Sequence, residues 1–242
     1  MKIFAIIPAA GIGSRMNIGR NKQFADIAGI PMLARTLMAF NKCTSINAIV
    51  ISAKQDDISY IDKNIVSQYG FNKVLAVIPG GSIRQDSVYN ALLEIEANSC
   101  LSAGPDDIVL IHDGARPLIA QSTILECINA VEIFGAACTA VPVNNTIKTS
   151  DPEGFISRTL DRNMLWSIQT PQAFRFALII DSYRKALADG FYGTDDSILV
   201  ERNAGKVKLV MGTYDNLKIT TPEDLFIAES MIAHSAVTTA KT

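Results

Sequence analysis

The sequence predicts an α/β fold built on a doubly wound, mostly parallel sheet, and three observations predict it. Short apolar, β-branched runs alternate with segments of helical period. A glycine-rich loop follows the first of those runs. The other chemistry-bearing segments, Gly80-Gly81 and His112-Asp113-Gly114-Ala115-Arg116-Pro117, follow runs just as directly. A parallel sheet would therefore gather all three along the edge where its strands end, the usual place for a ligand.

Taken in order, strands are expected near residues 3–8, 48–52, 74–77, 108–112 and 138–143, with helices at 31–41, 57–69, 84–96 and 122–134. Pro31 suits a first helical position, where a missing N–H costs nothing. The rhythm breaks after Val143. Residues 144–166 alternate polar and apolar side chains around Asp151-Pro152-Glu153-Gly154, the pattern of an inserted β-hairpin arm. Such an arm has little core of its own and is commonly stabilised by a partner subunit. Helices return at 174–189 and 195–203, then a strand at 206–211 and a last helix from Thr221 or Pro222. The expected organisation is one domain, 1–233, with its arm at about 144–166 and a loosely held tail at 234–242.

The totals exclude several classes. At 242 residues the chain can bury a substantial core, and a net charge of −2 gives no bulk attraction to nucleic acid or to anionic lipid. No apolar run reaches the length of a membrane span, and the stretch after Lys2 is cut short by Pro8. Cys43, Cys100, Cys127 and Cys138 are scattered, without a C-x-x-C pair, so reduced thiols in a cytoplasmic protein are expected.

The most informative segment is Ala9-Ala10-Gly11-Ile12-Gly13-Ser14-Arg15-Met16, with Lys22-Gln23 just beyond it. Small residues and glycines after a strand expose successive amides and form an anion-binding concavity. The dinucleotide fingerprint fails, because Met16 stands where its third glycine belongs, and the Walker-type phosphate loop has no match. A nicotinamide oxidoreductase is thereby disfavoured. What remains is a loop with Arg15 and soon Lys22, which suits binding of a triphosphate and equally suits a glycine-rich strand-to-helix turn with incidental basic residues. The backbone of Gly81, with Ser82 and the hydroxyl of Ser87, fits the reading of a pyrimidine base, while Ser82 equally suits a helix cap. Asp113 suits a Mg²⁺ ligand or an acceptor for substrate hydroxyls, and Arg116 either braces the loop or binds a phosphate. His112 reads as a positioned core histidine. No serine or cysteine nucleophile has support.

Together these segments resemble the 2-C-methyl-D-erythritol 4-phosphate cytidylyltransferase family, from Ile3 to about Ala228. The likeness rests on Gly11-Ile12-Gly13-Ser14-Arg15-Met16, Lys22-Gln23, Gly80-Gly81 with Arg84 and Ser87, and His112-Asp113-Gly114-Ala115-Arg116-Pro117. It continues through Thr146-Ile147-Lys148, Asp161-Arg162-Asn163, Gln169-Thr170-Pro171-Gln172, Thr194-Asp195-Asp196 and Asn216-Leu217-Lys218-Ile219-Thr220. The resemblance implies a Rossmann-like nucleotidyltransferase that uses CTP, Mg²⁺ and a polyol phosphate in isoprenoid biosynthesis. It implies Arg15 and Lys22 as stabilisers of the transition state, and Arg162 and Lys218 as the residues that position the acceptor. Thr146, Thr170, Thr194 and Arg116 would line or support the substrate pocket, and Ala9, Ala10, Gly11 and Gly13 would belong to the nucleotide site. Crossed arms in a homodimer are also implied, and no nucleic acid or membrane partner. Asn21, Gly114 and Asn145 depart from the family's usual proline, alanine and aspartate. The competing acceptor is D-ribitol 5-phosphate.

Overall fold

The computed structural model describes residues 1–11 and 22–239, with side chains described through His234. Gly13 and Arg15 lie outside the described residues.

The chain opens with β1 (Ile3–Pro8) and, after Lys22–Phe24, a small hairpin of β2 (Asp26–Ile27) and β3 (Ile30–Pro31). Its two-residue turn is Ala28-Gly29, both at positive φ (46° and 76°), the backbone that glycine adopts freely. The hairpin was not expected from the sequence. It moves Pro31 out of the first helix and onto the residue that precedes it, so α1 is Met32–Lys42. There follow β4 (Ala48–Ala53) and α2 (Ile58–Ile61), which runs on as a π-helical stretch at Asp62–Ser67. Next come β5 (Val74–Pro79), α3 (Arg84–Ala97), β6 (Ile108–Ile111), α4 (Gln121–Phe134) and β7 (Ala136–Pro142). The arm carries β8 (Lys148–Ser150) and β9 (Ile156–Thr159), and the chain returns through β10 (Trp166–Arg175), α5 (Phe176–Ala188), α6 (Ser197–Arg202), β11 (Lys208–Met211) and α7 (Pro222–Thr239). The last helix thus runs past His234, where the tail was expected to begin.

Seven strands form one sheet in the order β11-β7-β10-β6-β1-β4-β5. All pairings are parallel except those of β10, which runs antiparallel to both β6 and β7. The period-2 alternation of β1 serves two layers. Ile3, Ala5 and Ile7 face a cluster with α1, α2 and α4, while Phe4 and Ile6 face one with α3, α5 and α6. Burial on both faces is why these strands read as continuous apolar runs.

β10 is the main correction to the sequence reading, which expects no strand between the arm and a helix from Phe174. Phe174 is a strand residue, and the helix starts at Phe176. A proline and two glutamines argue against a central strand. Here Pro171 sits in a bulge, where pairing with β7 jumps from Ile168 to Gln172. Its lack of an N–H therefore leaves no gap in that ladder.

The arm forms as expected. Asp151 Oδ1 accepts the backbone N–H groups of Glu153 (3.1 Å) and Phe155 (2.8 Å), and Gly154 adopts φ 91°. Every residue of β8 and β9 is exposed. No helix among the described residues is long and apolar enough to cross a membrane. All four cysteines are free, three of them buried and Cys100 exposed.

Candidate active site

Two clefts open at this sheet edge, one beyond the carboxyl ends of β1, β5 and β6 and one beside the end of β7 and the start of β10. The first, of about 260 Å³, is lined by Ala10, Gly11, Lys22, Gly81, Ser82, Arg84, Ser87, Asp113 and Lys218, among others. The second, of about 510 Å³, is lined by Arg116, Asn144, Asn145, Gln169, Tyr214 and Lys218, among others. Lys218 belongs to both.

Close packing of backbones builds the first cleft. A Cβ on Gly80 would stand 2.7 Å from the Ala10 Cβ and 2.8 Å from Ser87 Oγ, and one on Gly81 would stand 2.1 Å from the Asp86 Cβ. Only glycines let the turn before α3 fold this tightly against the loop after β1. Ser87 Oγ accepts the Gly81 N–H (3.0 Å) and donates to the Ile83 carbonyl (3.0 Å), so toward the cleft it keeps acceptor capacity alone. Ala9 is buried just behind, its N–H bonded to the Ser52 carbonyl at 2.7 Å. Lys22 is buried to 9% exposure and donates from Nζ to the Ile219 carbonyl at 3.3 Å, which joins the glycine-loop side of the cleft to the segment before α7.

A charge network occupies the wall between the clefts. Arg84 donates from Nε to Asp113 Oδ1 (2.9 Å) and grips Asp196 through Nη1 and Nη2 (2.9 and 2.8 Å). Lys218 Nζ lies 2.7 Å from Asp113 Oδ2, and Arg116 Nε lies 3.9 Å from the same oxygen. Burial pushes the Asp113 carboxyl up, but Arg84, Lys218 and Arg116 together hold it far below the usual carboxylate range. Asp113 is therefore an anion at every working pH. Asp196 is anchored in turn by the Tyr183 hydroxyl, 2.5 Å from Oδ1, and by its own N–H on Gln172 Oε1 (3.1 Å).

His112 is wholly buried, and its partners fix its protons. Burial lowers its pKa to about 4, so the ring is neutral. Nε2 lies 3.1 Å from the Arg116 carbonyl, which can only accept, so Nε2 carries the hydrogen. Nδ1 then accepts from the Thr170 hydroxyl at 3.1 Å, and Thr170 Oγ1 accepts the Asp113 N–H at 3.0 Å. The hydrogens run one way, from Asp113 to Thr170 to His112 to Arg116. This strut ties β10 to the loop that presents both Asp113 and Arg116.

Arg116 Nη1 donates to the Asn216 carbonyl (2.7 Å), and Asn216 Nδ2 donates to Gln169 Oε1 (3.0 Å) and the Thr170 carbonyl (2.8 Å). These bonds set the segment that carries Lys218. The structure thus brings together Ala10, Gly11, Lys22, Gly81, Ser82, Ser87, Asp113 and Lys218, with Arg116 and Thr170 beside them. It does not bring in Thr146, Thr194 or Arg162. Thr146 and Thr194 are exposed and line neither cleft. Arg162, at the base of the arm, donates to the Asn144 carbonyl at 3.1 Å and also lines neither.

In the sequence Arg84 stands out only as part of the resemblance, and Thr194-Asp195-Asp196, part of the same resemblance, also suits a helix cap with acidic residues in its first turn. Asp195 does cap α6, accepting the Ile198 N–H at 3.1 Å, but Asp196 is the buried counterion of Arg84. Two adjacent aspartates, only one of which a cap requires, were the available signal.

Among the described residues no group of three His, Cys, Asp or Glu side chains could hold a metal ion. Both Asp113 oxygens are engaged by cations. The donor set does not fit a metal held by the protein alone, and Asp113 is not placed as a metal ligand in this arrangement.

Comparison with known proteins agrees with this arrangement. The family model IspD, 2-C-methyl-D-erythritol 4-phosphate cytidylyltransferase, matches residues 3–234. The enzyme of that name from Caldanaerobacter subterraneus is 45% identical over 229 residues, covering 95% of this chain and 98% of its own. Its namesake from Pelotomaculum thermopropionicum is 42% identical over 232 residues, covering 96% of this chain and 94% of its own. The crystal structure of 4-diphosphocytidyl-2C-methyl-D-erythritol synthase from Anaerococcus prevotii superposes with a TM-score of 0.81 at 34% identity, over 96% of each chain. That of the Francisella tularensis cytidylyltransferase gives 0.78 at 27% identity, over 94% of this chain and 98% of its own. With the sheet order, the glycine-walled cleft and the match along nearly the whole sequence in agreement, this chain belongs to the 2-C-methyl-D-erythritol 4-phosphate cytidylyltransferase family.

Proposed function

We propose that the chain transfers the cytidylyl group of CTP to 2-C-methyl-D-erythritol 4-phosphate and releases pyrophosphate, a step of isoprenoid biosynthesis. The observation that carries this reading is Lys218, a cation on the wall common to a glycine-lined cleft and a larger polar one. CTP would occupy the first and the acceptor the second, so that their phosphates meet at Lys218. An oxygen of the acceptor phosphate attacks the α-phosphorus, and the bond to the pyrophosphate oxygen breaks. Both reactants are anions, so positioning and charge stabilisation supply the catalysis.

In this reading Lys22 and Arg15 meet the charge that develops on the phosphorus and the leaving group. Lys218 orients the nucleophile, and Arg116 supports the acceptor side. Thr170 acts through the backbone of Asp113. Mg²⁺ would arrive on the triphosphate oxygens and partly neutralise them. Arg162, Thr146 and Thr194 would act where substrates, or a second copy, complete the site. The exposed apolar side chains of the arm, Phe155 (67%), Ile156 (66%) and Met164 (78%), support a homodimer joined through it. The unit is read as one nucleotidyltransferase domain, 1–233, working in the cytoplasm.

The relatives named above are methylerythritol enzymes, which favours that acceptor over ribitol 5-phosphate. The test offers CTP and Mg²⁺ with each polyol phosphate in turn and measures pyrophosphate. Release with methylerythritol phosphate, at a kcat/KM well above that for ribitol phosphate, is expected. The reverse order would transfer the chain to the ribitol reaction.

A further inference from the structure

We propose that Arg84 is a positioning residue for the acceptor side of the reaction, acting through Asp113 on Lys218; this rests on the cytidylyl-transfer reading above. Lys218 is a flexible side chain, 40% exposed, and its one charged partner among the described residues is Asp113 Oδ2. A lysine held so loosely would sample many rotamers, and ordering it on substrate arrival would cost affinity. What holds the carboxylate therefore decides where the ammonium stands.

Arg84 holds it. Its Nε fixes Asp113 Oδ1, which leaves Oδ2 turned toward Lys218. Arg84 is itself fixed by the bidentate grip on Asp196, which is 1% exposed in its side chain and carries the Tyr183 hydroxyl and Gln172 as further partners. The chain of contacts runs from α5 and β10 through Asp196, Arg84 and Asp113 to the wall shared by both clefts. Only a guanidinium can bond two carboxylates at once in this way. Without it, Asp113 is free to turn and draw Lys218 toward β6, away from that wall. Arg84 also lines the nucleotide cleft, but two carboxylates already oppose its charge. The acceptor side is where its loss should be felt.

The test uses the full chain with Arg84→Lys, Arg84→Ala and Asp196→Asn, the last at a residue that lines neither cleft. CTP affinity is measured by calorimetry without acceptor, and kcat and KM for methylerythritol phosphate by pyrophosphate release at saturating CTP. In each variant kcat/KM for the acceptor should fall about 10- to 100-fold, mainly through KM, and by about tenfold more than CTP affinity falls. Added guanidinium ion should restore part of the acceptor kcat/KM of Arg84→Ala, a recovery that a merely structural role would not give. An equal or larger loss in CTP affinity, or an unchanged acceptor kcat/KM, overturns the proposal. If the charge variants do not fold, Tyr183→Phe, which removes one hydroxyl from Asp196, should still weaken the acceptor selectively, and the same contrary results overturn it. A wild-type chain that releases no pyrophosphate with this acceptor overturns the cytidylyl-transfer reading itself, and this proposal with it.

Discussion

Lys22 stands on the wall of the nucleotide cleft, nearly out of water, and its Nζ donates to the Ile219 carbonyl at 3.3 Å. An ammonium fixed at that place would meet the charge that grows on the reacting phosphate, more of it in the transition state than in the ground state. Lys22→Ala should therefore lower kcat by about a hundred- to a thousandfold while raising the KM for CTP far less. A raised KM with unchanged kcat would assign Lys22 to ground-state binding. His112 makes a second residue-level prediction, through pH. Its folded pKa of about 4 lies below the ordinary 6.5, so the unfolded chain binds the proton first. The stabilisation is whole above about pH 6.5 and is lost as pH falls through 4, an effect of about 3 kcal/mol at most. Thermal melts from pH 7 to 4 should show this loss in the wild type and a shallower slope in His112→Gln. Parallel slopes would remove His112 as its source.

At the scale of elements, β10 is where a local reading of the sequence fails, and its physics supplies a test. Gln172 Oε1 accepts the N–H groups of Asp196 (3.1 Å) and Ser197 (2.8 Å), two donors at the start of α6, and Nε2 reaches Asp195 Oδ2 at 2.9 Å. Gln172→Leu keeps much of the volume but orphans both buried donors. It should cost about 2–4 kcal/mol, read as a shift of the urea midpoint at constant m. A cost near zero would mean that water enters and replaces the amide. These partners lie some twenty residues away in sequence, so no local pattern could show that a glutamine beside a proline was a strand residue. The parallel strands were legible for the opposite reason. Burial on both faces writes itself as an apolar run, as in Ile3 to Ile7 and Ile108 to Ile111. The site divides in the same way. The loop after β1, Gly81 and Asp113 follow strands directly, so their convergence followed from the fold class, whereas Lys218 was expected at the site only through the family resemblance. Arg84 and Asp196 are 112 positions apart, and only the tertiary fold, which brings the start of α3 to the residue before α6, makes them a pair.

At the scale of the whole molecule, the arm is a two-stranded sheet with every strand residue exposed, and Arg162 at its base reaches neither cleft of its own chain. An isolated hairpin of this size is marginal in water, so a second copy is the economical way to cover Phe155, Ile156 and Met164. Replacing all three by serine should shift sedimentation from dimer to monomer and lower activity with it. If the arms cross, each site combines one chain's Lys22 with the other chain's Arg162. Inactive Lys22→Ala and Arg162→Ala chains can be mixed, dissociated and allowed to reassociate. About half of the randomly paired dimers are then mixed, and each mixed dimer has one doubly damaged site and one intact site, so roughly a quarter of wild-type activity returns. If Arg162 serves its own chain, every site keeps one lesion and mixing restores nothing. Subunit exchange is verified separately by tagging one parent and capturing the other through it. No recovery despite proven exchange would refute the crossed arms while leaving Lys218, Asp113 and the two clefts as the framework of the reaction.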